Sequence, residues 1–102
     1  MQDVYNIRKD NAWFMLRMRV EPDGGLYFDG QDFCTLSEQM FGDEEHEYYF
    51  DFTAQNAERL RLALGAETAA EGVLAFFAGQ DRLNEFFRFC AAHDIPYHYF
   101  SF

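Results

Sequence analysis

The sequence predicts an α+β fold in which an antiparallel sheet of four to five strands carries about three helices on one face. Segments with a two-residue alternation of apolar and polar side chains dominate the first half of the chain, and segments with helical spacing fill most of the second half. A final aromatic segment then follows the helices. The 102 residues suffice for one hydrophobic core but not two, so residues 1–102 are expected to form a single domain.

The strands are predicted from alternation and from the turns that bound them. Apolar side chains at every second position from Ala12 to Val20 share one face, whereas Trp13 and Arg17 point to the other. The turn sequence EPDGG then sends the chain back antiparallel. Residues 31–45 lack a clean period and are expected to form an irregular, partly buried loop. The predicted strands are 4–8, 12–20, 26–30, 46–52 and 97–102.

The helices are predicted from apolar stripes and from their terminal residues. Thr53, Thr68 and Asp81 are the expected N-caps, and Thr68 has the spacing of a capping box. Gly65 should end the first helix, while Pro96 prevents continuation of the third. Phenylalanines on the second and third stripes require an apolar sheet face opposite them. The predicted helices are 54–64, 69–78 and 82–92.

Charge is the most unusual property of the composition. Eighteen acidic residues against eight basic ones give a net charge of −10. No Lys or Arg occurs between Val20 and Glu58, so one part of the molecule should carry a strong negative potential. Phosphate-rich partners require positive charge, and neither nucleic acid nor an anionic membrane is therefore expected to bind. The acidic residues of this window are Glu21, Asp23, Asp29, Asp32, Glu38, Asp43, Glu44, Glu45, Glu47, Asp51 and Glu58.

The N-terminal sequence and the cysteines bear on the compartment. The start, MQDVYNIRKDN, lacks the basic and then apolar layout of a signal peptide, and no apolar run approaches the roughly 20 residues of a membrane span. A cytoplasmic location is therefore expected. Cys34 and Cys90 are far apart in sequence and form no CxxC motif, which favours two buried, reduced thiols.

The acidic stretch FGDEEHEYYFDFT, residues 41–53, offers ligand types for a metal but not the spacing. His46 and Glu47 point to opposite faces of the predicted strand and cannot chelate one ion together. Nucleophile motifs and glycine-rich phosphate loops are also missing from the sequence. We therefore expect no metal, no cofactor and no enzymatic activity.

Acidic and aromatic side chains together predict a protein-binding surface. Tyr27, Tyr49 and Trp13 should lie beside carboxylates on the sheet face that the helices leave open, a composition typical of sites that bind a basic protein. Two alternatives remain: a solvated face that maintains solubility, or pairing of Arg17 and Arg19 with Glu47 and Asp51 across strands. The predicted partner-binding residues are Trp13, Tyr27, Asp29, Asp32, Glu38, Asp43, Glu44, Glu45, Glu47, Tyr49 and Asp51.

Two segments, EYYFDFTAQNAERLRLAL (47–64) and LNEFFRFCAAHDIPYHYFSF (83–102), carry a family resemblance. A helix with an FxxFC core followed by an aromatic terminal strand resembles small cytoplasmic immunity proteins of bacterial polymorphic toxin and contact-dependent growth inhibition systems. The resemblance implies an acidic single domain that binds the C-terminal domain of a cognate toxin, often a basic nuclease, and blocks its active site or substrate groove. The protein itself is expected to be a monomer or a homodimer.

Two other functions are compatible with the same residues. An acidic protein can mimic nucleic acid and inhibit nucleic-acid-binding enzymes in general. The chain could also be a plain structural or oligomerisation module. A toxin fragment encoded immediately upstream would favour the immunity function.

Overall fold

The computed structural model of the chain describes residues 1–34 and 44–101. Within these ranges, five strands form one antiparallel sheet in the order β1-β2-β3-β4-β5, and three helices lie between the last two strands in sequence. This confirms the predicted α+β fold. None of the described helices is long and apolar enough to cross a membrane. The elements are β1 (Gln2–Lys9), β2 (Ala12–Val20), β3 (Leu26–Cys34), β4 (Glu44–Phe52), α1 (Ala54–Leu64), α2 (Ala69–Phe77), α3 (Leu83–Ala92) and β5 (His98–Ser101).

The strand predictions are correct in number and place, but β1 extends further at both ends, β5 is shorter, and β3 and β4 are longer than expected. Residues 31–34 and 44–45 belong to these strands and not to an irregular loop, while residues 35–43 lie outside the described ranges. The reason is pairing, because β2 hydrogen-bonds β3 along its whole length, from Val20 opposite Leu26 to Ala12 opposite Cys34. A partner strand of that length supplies backbone hydrogen bonds that the local apolar pattern does not reveal.

The helix termini follow the predicted capping chemistry in two of three cases. Thr53 Oγ1 accepts a hydrogen bond from the Asn56 amide at 3.2 Å, and Thr68 Oγ1 accepts one from the Glu71 amide at 3.0 Å. Gly65 ends α1 in the left-handed conformation with φ of 65°. The third helix differs, because Arg82 occupies the N-cap position and Asp81 Oδ1 lies 3.5 Å from the amide of Leu83.

The core lies between the helices and one face of the sheet, here called the inner face. Phe28 and Phe50 are fully buried on β3 and β4, and their rings stack with centroids 4.4 Å apart. Phe86 of α3 is also fully buried and lies 6.1 Å from the Phe28 ring. Cys90 is a buried free thiol of the same core, as predicted, and burial raises its pKa to about 12. The side chain of Cys34 is outside the description.

Candidate binding face

The sheet has a second face on which none of the three described helices packs, here called the open face. Strand alternation and antiparallel register place its side chains in cross-strand rows. One row runs from Arg17 through Asp29 and Tyr49 to Phe100, and the next runs through Tyr27 and Asp51 to His98. The open face of β2 to β5 carries Trp13, Met15, Arg17, Arg19, Tyr27, Asp29, Gln31, Phe33, Glu45, Glu47, Tyr49, Asp51, His98 and Phe100.

A shallow concavity of about 680 Å³ opens on this face between Tyr27, Tyr49, Phe100 and Ser101, and is called the tyrosine depression. The rings of Tyr27 and Tyr49 stack with centroids 6.1 Å apart, while Phe100 is 58% exposed. Stacking fixes the two phenols as a rigid wall, and the exposed phenyl group forms the outer edge. An incoming side chain would meet aromatic surface at little cost in ordering these rings.

Carboxylates surround the tyrosine depression. Glu47 and Asp51 flank Tyr49 on β4, and Asp29 lies directly opposite it on β3. Burial, followed by the charges of Glu47 and Asp29, raises the pKa of Tyr49, which therefore remains a neutral phenol near neutral pH. Asp51 contacts the exposed His98 ring, with Oδ1 3.2 Å from Nδ1. Aromatic surface bordered by negative charge can bind a cation by ion pairing and by cation–π contact.

The arginines of the open face do not pair with Glu47 or Asp51, so that alternative is wrong. Arg17 pairs with Asp29 at 2.5 Å, and Arg19 pairs with Glu21 at 2.9 Å. The reason is strand order. Because β3 lies between β2 and β4, a carboxylate on β3 is closer to Arg17 than any carboxylate on β4. Three bases of the open face, Arg8, Arg17 and Arg19, lie on β1 and β2, whereas Glu47 and Asp51 lie on β4. The open face is therefore basic on one side and acidic on the other.

Trp13 lies on the open face but away from the tyrosine depression. It is four residues from Arg17 along β2, a separation of about 13 Å at the usual rise per residue. Its indole Nε1 donates a hydrogen bond to Asn6 Oδ1 at 2.6 Å, and the Arg8 guanidinium lies 4.3 Å from its ring centroid. Trp13 thus belongs to the basic side of the face.

The structure brings most, but not all, of the predicted binding residues together. Asp32 is a correction, because it alternates onto the inner face of β3, beside Tyr48, and cannot contribute to the open face. Asp32 lies within the acidic stretch 21–58, but strand alternation directs its side chain away from the other carboxylates of the open face. Glu38, Asp43 and the side chain of Glu44 lie outside the described residues. The predicted residues found on the open face are Trp13, Tyr27, Asp29, Glu45, Glu47, Tyr49 and Asp51.

Two residues of the site were missed from the sequence. Phe100 and His98 reach the open face because β5 pairs with β4, placing Phe100 opposite Tyr49 and His98 opposite Asp51. The alternation in YHYFSF separates these two side chains from Tyr97 and Tyr99, and was a usable signal. What the sequence did not provide was the neighbour of this strand in the sheet.

Among the described residues, no three His, Cys, Asp or Glu side chains come together in a way that could hold a metal ion. Comparison with known proteins yields no match to any family model, curated sequence or solved structure.

Proposed function

We propose that the protein is a non-enzymatic inhibitor that binds a cationic protein domain, in the manner of an immunity protein that neutralises a cognate toxin domain. The observation that carries the proposal is the tyrosine depression, in which exposed aromatic surface is bordered by Glu47, Asp51 and Asp29. Aromatic anchors with complementary charge around them are the usual core of a specific protein interface.

The net charge of −10 supports rapid capture of such a partner. The field of an acidic protein steers a basic one during diffusion and raises the association rate, and salt screens this effect. Glu47 forms no ion pair with any described residue and is available to an incoming cation. Capture would therefore start on the acidic side of the open face.

The molecule itself contains an example of the contact that we propose. The Arg19 guanidinium lies 4.7 Å from the centroid of the Tyr27 ring and pairs with Glu21 at 2.9 Å. Tyr27 therefore supports an arginine on the open face with a carboxylate beside it. An arginine or lysine of the partner would find the same combination at Tyr49, with Glu47 or Asp51 as the carboxylate.

Inhibition would follow from occlusion. A nuclease binds its substrate in a basic groove because that groove contacts phosphates. An acidic, aromatic surface placed over the groove would exclude nucleic acid by occupying its binding site, with no catalytic step. The proposed partner is accordingly the basic C-terminal nuclease domain of a toxin encoded next to this chain.

The test uses that toxin domain and a pair of matched variants. Phe100→Ala removes the exposed edge of the depression, while Leu62→Ala removes a comparably exposed residue of α1, at 58% and 64% exposure respectively. Phe100→Ala is expected to raise the dissociation rate at least tenfold and to weaken protection of cells that express the toxin domain. Leu62→Ala should change neither. Equal effects of the two variants would contradict binding through the open face.

The same preparation separates the alternatives. A general mimic of nucleic acid would inhibit unrelated nucleases as strongly as the cognate toxin domain, whereas the proposed inhibitor would leave them active. A structural module would bind no toxin domain and would show only self-association in sedimentation experiments.

A further inference from the structure

A polar cavity of about 340 Å³ lies on the inner face, at the end of the sheet where the start of α3 meets β1, β3 and β4. It is separated from the tyrosine depression by the sheet itself. Its principal polar groups are Tyr5, Asp32, Tyr48, Asp81 and Arg88. Because the proposed inhibitory function uses the opposite face, this cavity stands without an assigned role.

Two buried phenols form the back of the cavity. Tyr5 and Tyr48 are 3% and 2% exposed, and their hydroxyl oxygens are 3.3 Å apart. Burial is the main cause that raises the pKa of both, so both are neutral. Each hydroxyl has one proton and two lone pairs, and their mutual hydrogen bond uses one proton and one lone pair. One proton and three lone pairs therefore remain in the pair, without partners among the described residues.

Gly30 fixes the position of the Tyr48 ring. A Cβ atom at residue 30 would lie 2.1 Å from Tyr48 Cζ, so the ring packs directly against the backbone of β3. This close approach holds the hydroxyl of Tyr48 deep in the cavity, next to Tyr5. Glycine contributes no side-chain packing to a central strand, so its effect at this position is to leave space for the Tyr48 ring.

Two of the three carboxylates of the cavity, those of Asp32 and Asp81, form no ion pair with its arginines. Asp32 is partly buried and forms no hydrogen bond or ion pair with any described residue. Arg82 is already engaged, since its Nε donates to Glu85 at 2.5 Å and its guanidinium donates to the Phe76 carbonyl at 2.6 Å. Arg88 lies in the cavity wall without an ion pair among the described residues. Asp32 and Asp81 thus bring two carboxylates without an ion pair to the cavity, against the single unpaired guanidinium of Arg88.

We infer that the cavity binds a primary ammonium group, with Asp32 and Asp81 as its anionic partners and the Tyr5–Tyr48 pair as a neutral acceptor. An ammonium group carries three donors and no acceptor, which matches the excess of carboxylate oxygens and phenolic lone pairs. Its compact charge also fits a site walled by buried rings. Either a free alkyl amine or a lysine side chain could supply this group.

The experiment titrates the purified protein with 1,4-diaminobutane and, separately, with N-acetyl-lysine methylamide. Backbone amide shifts are followed by ¹H–¹⁵N NMR. Saturable shifts centred on Gly30, Asp32 and Tyr48 are expected with the diamine. Saturation by the lysine derivative as well would identify a lysine side chain as an acceptable source, whereas saturation by the diamine alone would identify a free amine. 1-Butanol, which has no positive charge, should produce no saturable shift.

Matched variants decide whether the cavity is the site. Asp32→Asn should weaken amine binding at least tenfold, the loss expected for a charge-assisted hydrogen bond. Asp94→Asn removes the same charge from an exposed position just after α3, at the end of the helix away from the cavity, and should change the affinity less than about twofold. Tyr48→Phe keeps the ring against Gly30 and should weaken binding several-fold through its hydroxyl alone. Thermal melting of each variant checks that it is folded.

Two results would overturn the inference. The first is the absence of saturable shifts at the cavity in the wild-type protein. The second is equal weakening by Asp32→Asn and Asp94→Asn, which would mean that amines respond only to net charge.

Discussion

Neighbouring residues of the same strands have opposite environments on the two faces of the sheet. On the inner face, Phe28 and Phe50 are fully buried and stack with centroids 4.4 Å apart. On the open face, Tyr27 and Tyr49 are only partly buried and stack at 6.1 Å. The rings are similar in size, and the hydroxyl distinguishes them. In these two pairs, the phenylalanines lie where the helices exclude water, and the tyrosines lie where water can reach their hydroxyl groups.

This difference places the main hydrophobic core on the inner face, and the proposed function assigns binding of the toxin domain to the open face. The inner face buries the rings that hold α3 on the sheet, whereas the open face presents rings and carboxylates that contribute little to folding. The two properties should therefore respond separately to substitution. Changes on one face should leave the other property largely intact.

The largest expected difference comes from two adjacent residues of β4. Phe50→Ala should lower the free energy of unfolding by about 3–5 kcal/mol, because it opens a cavity in the core. Tyr49→Ala should lower it by no more than about 1 kcal/mol, because the ring is on the open face. Urea denaturation measures both. Similar losses for the two variants would mean that the faces are not divided as described.

Gly30→Ala should lower the free energy of unfolding by about 1–3 kcal/mol, because the new methyl group would overlap the Tyr48 ring. The loss should be smaller in a Tyr48→Ala background, where the overlapping ring is absent. A double-mutant cycle by urea denaturation measures this coupling. An unchanged loss in that background would assign the effect to the backbone of β3 and not to the ring.

Alkaline pH should lower the stability of the protein through ionisation of Cys90, which is buried in the core. Burial raises the pKa of this thiol from 9.0 to about 12, so its folded state retains the proton that the unfolded chain releases. The corresponding stability is fully present below pH 9.0 and is lost as the pH rises towards 12. The stability of Cys90→Ala should therefore fall less steeply over this range. Parallel pH profiles for the two proteins would contradict burial of the thiol.

The smallest expected effect concerns Asp32. Burial, followed by the charge of Asp81, raises the pKa of this carboxyl group. The folded state therefore holds the proton more tightly, and the ionised group at neutral pH disfavours folding. Asp32→Asn should raise the free energy of unfolding at pH 7 by no more than about 0.5 kcal/mol, measured as a slightly higher melting temperature. This gain should disappear as the pH falls through the raised pKa of Asp32. Asp29→Asn, which breaks an ion pair with Arg17, should show no such gain.

The fold could be predicted because its signals are local. Alternation in 12–20 and the caps at Thr53 and Thr68 depend on near neighbours in sequence, and the structure confirms these elements. The extension of β3 to Cys34 could not be predicted in the same way. It depends on pairing with β2, a contact between strands that local pattern does not contain.

The candidate site shows the same limit. Tyr27, Tyr49 and Asp51 follow from alternation alone, since each lies on the face opposite the buried phenylalanines. Phe100 cannot be placed on the open face without knowing that β5 pairs with β4. Asp32 lies on the inner face, as strand alternation requires, although its acidic sequence neighbours suggest a place on the acidic binding surface. Sheet order and side-chain direction therefore determine the site more than composition does.

The association rate with the basic toxin domain is the most direct test of binding through the acidic side of the open face. Glu47→Lys and Glu67→Lys have the same net charge, but only residue 47 lies beside the tyrosine depression. At low ionic strength, Glu47→Lys should slow association several-fold more than Glu67→Lys does, and the difference should shrink as salt is raised. Equal association rates for the two variants at low salt would contradict this account, because only the total charge would then matter.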